Sequence, residues 1–102
     1  MKKINILYIS PNKHNSKAVL QVINENWSGF LAINEVEASA LFSEYTMEMI
    51  LFGCDVDKKT EKKLRRYFRK MNSAIIILDH YGGGTALLKH EIIAALQNEK
   101  VL

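Results

Sequence analysis

Residues 74–88 read AIIILDHYGGGTALL. A β-branched apolar run passes through Asp79 and His80 into three consecutive glycines. A helix-period pattern, KHEIIAALQ, then follows. An apolar run without polar alternation predicts a strand buried on both faces, here 74–78. A glycine turn between such a strand and a helix predicts a strand–turn–helix unit, with Thr85 able to cap the helix and Asn98 near its end.

The same unit repeats upstream. INILYI (4–9) predicts a first strand, followed by turn residues 10–15. Ser16 is a candidate cap for a helix with Val19, Val22, Ile23 and Trp27 along one stripe, and Gly29 is a candidate stop. Phe30 to Ile33 predicts a short second strand. Asn34 and Glu37 have the spacing of a capping box, opening a helix with Ala38, Leu41, Phe42 and Tyr45 inward. MILF (49–52), closed by Gly53, predicts the third strand. Asp57 caps a third helix, in which Leu64, Tyr67, Phe68 and Met71 recur at helical spacing.

Four βα units predict an α/β fold with a doubly wound, four-stranded parallel sheet and helices on both faces. Right-handed crossovers favour strand order 2-1-3-4. The 102 residues are expected to form a single domain, 1–102. Ligands of such sheets bind at the strands' C-terminal edge, made here by 10–15, 53–57 and 79–85.

Composition narrows the function classes. Apolar residues make up 48% and charged residues 25% of the chain, as in ordinary globular proteins. The apolar run 4–9 is too short for a signal peptide or a membrane span. One cysteine, Cys54, cannot form an intrachain disulfide, and a cytoplasmic setting without membrane contact is expected. The net charge of +3 is unevenly spread: 58–70 holds eight basic residues and one acidic residue, a local +7, which leaves −4 elsewhere.

The strand ends KKINILYIS, MEMILFGCDVD and RRYFRKMNSAIIILDHYG, with the helix NEVEASALFSE, resemble response-regulator receiver domains over roughly the first 80 residues. The resemblance implies a receiver-shaped fold. Receivers phosphorylate an aspartate after strand three, using acidic residues after strand one to hold Mg²⁺, a Ser/Thr after strand four and a Lys after a fifth strand. Laid on this chain, the acidic pair becomes Ser10-Pro11, the acceptor becomes Gly53 and the hydroxyl position becomes Asp79. The fifth strand and its lysine have no counterpart, so receiver phosphorylation is not expected. The sugar-phosphotransferase IIB domains are a second likeness in architecture, but their nucleophilic cysteine follows strand one, where this chain has Ser10.

Candidate sites follow from these placements. Gly82, Gly83, Gly84 and Thr85 would offer backbone N–H groups to an anion, with His80, Asp55 and His14 as polar partners; otherwise the glycines only permit a tight turn. Neither a P-loop lysine nor a G-x-S-x-G nucleophile accompanies them. Cys54, Asp55, Asp79 and His80 lack a metal or nucleophile spacing, so no catalytic residue, no metal site and no cofactor is assigned. Lys58, Lys62, Arg65, Arg66 and Arg69 form a basic face that suits an acidic protein partner, with nucleic acid as the lesser alternative. Strand four would be an apolar edge, and the sheet face that receivers cover with helix five needs the last helix or a second subunit. That predicts a homo-oligomer through strand four or helix four. The reading is a non-catalytic regulatory or protein-interaction module. The alternative is a domain that binds a phosphate or nucleotide at the strands' C-terminal edge.

Overall fold

The computed structural model describes residues 3–80 and 85–98, without the side chains of 13–15. The elements are β1 Asn5–Ile9, α1 Lys13–Asn26, β2 Ser28–Ala32, α2 Glu35–Glu44, β3 Met49–Gly53, α3 Lys58–Met71, β4 Ile76–His80 and α4 Leu88–Asn98. All pairings are parallel and the sheet order is β2-β1-β3-β4, the order read from the sequence. No described helix is long and apolar enough to cross a membrane.

The local chemistry explains most boundaries. Asn34 Oδ1 accepts from Glu37 N at 2.8 Å, and Glu37 Oε1 accepts in return from Ile33 N at 3.0 Å. This is the expected box, with its second bond displaced one residue outward. Asp57 Oδ1 accepts from Thr60 N at 2.9 Å at the start of α3. These bonds hold the Asp57 carboxyl below its ordinary range.

Other boundaries move for tertiary reasons. Helix α1 starts at Lys13 rather than after Ser16, which lies buried inside it and donates to Asn12 O at 2.6 Å. Gly29 does not stop α1 but sits within β2. A Cβ there would come within 2.9 Å of Ile23 Cγ2, so the glycine admits the end of α1 close against the strand. β4 starts two residues later than expected and carries Asp79 and His80 inside the strand. Thr85 O accepts from Leu88 N at 3.2 Å in a turn that precedes α4, so Thr85 is not its cap.

The two faces of the sheet are packed by different helices. On one, Ile6, Tyr8, Met49, Leu51 and Ile76 meet Val19 and Ile23 from α1, Trp27 just after it, and Leu88, Ile92 and Leu96 from α4. On the other, Leu7, Ile9, Ile50 and Phe52 meet Ala38 of α2 and Leu64 and Phe68 of α3. The last helix therefore crosses onto the α1 face and covers it, one of the two solutions expected. Leu88, Ile92 and Leu96, spaced at i, i+4 and i+8, are its fully buried stripe, while Leu87 falls outside it and is 67% exposed. Burying each such side chain stabilises the fold by roughly 1.5–3 kcal/mol.

Candidate functional site at the C-terminal edge of the sheet

Register places two rows of residues across this edge. Ile9 pairs with Phe52, and Phe52 with Asp79, on the α2/α3 face. One residue further, Gly53 pairs with His80, with Ser10 beyond the end of β1, on the α1/α4 face. Alternation along each strand makes these rows chemically independent.

The row Ser10, Gly53 and His80 is closed. All three residues are buried. A Cβ built on Gly53 would lie 3.0 Å from Ser10 Cβ, 3.0 Å from the Tyr8 hydroxyl and 3.2 Å from Ser10 Oγ. These distances are tighter than ordinary van der Waals contact, so a side chain at 53 requires Ser10 and Tyr8 to give by a few tenths of an ångström. Burial pushes the Tyr8 phenol up, and its hydrogen bond with Ser10 only partly opposes this. At the row's end, His80 Nδ1 lies 3.6 Å from Glu91 Oε1 of α4, beyond hydrogen-bond reach, and no other described group satisfies it.

The row Ile9, Phe52 and Asp79 carries charge. Arg65 of α3 bonds Glu61 Oε1 at 2.7 Å and Asp79 Oδ1, and its guanidinium carbon lies 5.2 Å from the Phe52 ring centroid. Burial alone would lower the Arg65 pKa, but the bonds to Glu61 and Asp79 outweigh it and raise it. The helix-spaced Glu61–Arg65 pair and the strand carboxylate thus tie α3 to the end of β4. Spacing within α3 signalled the first pair; no local signal pointed to Asp79, fourteen residues away.

The remaining sequence candidates are spread apart. Asp55 is exposed and lines a cleft of about 340 Å³ with Ile9, Pro11, Ile33, Glu35 and Asp57. The carboxylates on its rim oppose an anionic ligand. Cys54 is exposed, with Sγ 3.8 Å from Asp55 Oδ1. His14 falls in the first turn of α1, and its side chain lies outside the described residues, as do Gly82, Gly83 and Gly84 in full. No group of three or more metal-binding side chains occurs among the described residues. Of the basic face, Arg65 is committed internally and Lys63 pairs with Glu35 at 2.8 Å, whereas Lys58, Lys62, Arg66 and Arg69 are exposed.

No family model and no curated protein matches the sequence. Solved structures do. A CheY-like receiver domain protein from Methanospirillum hungatei JF-1 aligns with TM-score 0.67 at 15% identity, over 96% of this chain and 76% of that one. The signal receiver domain of an HD domain-containing protein from Pseudomonas fluorescens Pf-5 aligns with TM-score 0.70 at 13% identity, over 99% and 78%. A co-crystal structure of the Saccharomyces cerevisiae phosphotransfer protein Ypd1 and the receiver domain of Ssk1 gives TM-score 0.60 at 20% identity, over 92% and 74%. The fold is that of response-regulator receivers.

Proposed function

We propose that this chain is a receiver-shaped regulatory module that works by binding another protein and takes no phosphoryl group. The observation that carries this reading is Gly53, which has no side chain and whose Cβ position is crowded by Tyr8 and Ser10 at 3.0 Å. A receiver's in-line phosphoryl transfer needs a carboxylate projecting there and a second acidic pair beside it. This edge instead presents a buried serine, a proline and a glycine. The receiver in the Ypd1 complex engages a protein partner, and this chain shares its fold, which supports a protein-binding role.

The module is read as one domain, 1–102, working in the cytoplasm. With α4 covering the α1 face, one of the two arguments for a homo-oligomer is gone and the β4 edge alone remains. A phosphate or nucleotide site at 82–85, of which 82–84 lie outside the described residues, is the second reading; the cleft beside Asp55 is rimmed by Glu35, Asp55 and Asp57 and does not suit an anion.

Incubation with acetyl phosphate and Mg²⁺, followed by intact-mass measurement, tests the reading. An unmodified mass is the expected result, together with an unchanged melting temperature when phosphate or nucleotides are added. A phosphoryl adduct, or stabilisation by a nucleotide, would sink it.

A further inference from the structure

The two edges of the sheet are finished differently. Ser28 N donates to Ile4 O of the β1 side, so strand alternation turns Gly29, Leu31 and Ile33 outward from β2. Gly29 N donates to Asn24 Oδ1 at 2.8 Å and Ile33 N to Glu37 Oε1 at 3.0 Å. Side chains thus occupy two of the three outward donors of that edge.

At the opposite edge Ile76 N donates to Glu48 O of the β3 side, which turns the N–H and C=O of Ile77 and Asp79 outward. Among the described residues neither outward donor has a partner. Ile77, Leu78 and Asp79 are half-buried, and β4 carries no proline and no lysine. Natural sheets seldom leave such an edge unprotected.

Beside it runs a basic flank. Arg65 reaches Asp79, and Arg69 Nη1 points to Ile75 O at 3.4 Å, so both arginines lie on the β4 side of α3. Lys63 and Tyr67 face α2 instead, through Glu35 and Phe42. Lys58 and Lys62 share the flank of Arg65 and Arg69 by helical spacing. On the other side of the edge, Ala95 and Asn98 of α4 complete a cleft of about 240 Å³ with Arg69, Ser73 and residues 74–77.

We propose that the β4 edge binds an extended, acidic segment of a partner protein, which adds as a fifth strand. The inference rests on the interaction-module reading and names the partner's chemistry. Main-chain groups of Ile77 and Asp79 supply the ladder bonds. Side chains of an added strand alternate between faces, so one set lies along Lys62 and Arg69 and is acidic. The other set lies against Ala95 and is apolar. A second copy is the poorer occupant: antiparallel pairing of two β4 strands about a twofold normal to the sheet sets both α3 flanks on the same face, basic against basic.

The test is an NMR titration of the full chain with a blocked eight-residue peptide alternating glutamate and valine. Amide shifts confined to β4 and the adjoining flank of α3 are expected, with affinity falling as salt rises. Arg69→Glu gives up the 3.4 Å contact with Ile75 O and reverses the flank's charge; with the unliganded spectrum's amide dispersion retained as the check on folding, it lowers affinity about tenfold. Ile77→Pro removes an outward donor but no ladder bond, and abolishes binding. Equal binding of a lysine–valine peptide overturns the proposal, as do shifts centred on β2 or full affinity in Arg69→Glu. Self-association of the unliganded chain through β4, seen as concentration-dependent sedimentation, overturns it in favour of a second copy. The acetyl phosphate experiment is blind to this edge, so the two readings fail separately.

Discussion

The β2 edge and the β4 edge lie on either side of the same central pair of strands, and their chemistry is opposite. At β2, Asn24 and Glu37 reach in from the ends of the two neighbouring helices and take the outward N–H groups of Gly29 and Ile33. Tyr45 packs 4.7 Å from the Phe30 ring on the same strand, adding an apolar lid. At β4 the long side chains alongside are arginines. Being donors only, they satisfy a carbonyl or a carboxylate, as Arg69 does at Ile75 O and Arg65 at Asp79, but leave the N–H groups of the edge unmet. An edge flanked by acceptors is partly closed by its own side chains; one flanked by donors stays receptive to a strand that brings acceptors and negative charge.

The largest effect belongs between the edges. Gly53→Asp in the central strand β3 forces a side chain against Ser10 and Tyr8 and buries a carboxylate, costing about 3 kcal/mol. Urea unfolding measures it, and wild-type stability would show that the edge is open at its centre after all. Asp79→Asn sharpens the β4 side. It removes the charge that holds Arg65 across from α3 and costs roughly 1–2 kcal/mol, read by the same unfolding curves. No loss would mean that Glu61 alone retains Arg65. Smallest is Asn24→Ala at β2, at about 1 kcal/mol, with faster hydrogen exchange at the Gly29 amide. If that amide exchanges no faster than before, Asn24 does not seal the edge and the contrast collapses.

Much of the architecture was readable from residue order. The largely apolar runs at 4–9, 49–52 and 74–78 carry the signature of doubly covered strands, and the helices between them impose parallel pairing. Asn34 and Asp57 signal their helices because a cap acts on N–H groups two or three residues away, entirely within local sequence. The basic character of α3 was equally plain. Gly29 was misleading because a glycine that admits a neighbouring helix looks the same in sequence as one that ends it. Leu87 and Leu88 are equally apolar in sequence, and only the start of α4 at Leu88 buries the second and leaves the first exposed.

The sequence by itself determined four βα units and their order in the sheet, because these follow from apolar periodicity and from the helices that join the strands. Only the tertiary structure decided that Tyr8 and Ser10 crowd the space over Gly53, that Arg65 belongs to Asp79, and that two outward donors beside β2 are met while those of β4 are not. Those depend on side chains from separate elements arriving within a few ångströms of one another. Packing sets such meetings, and no local pattern records them.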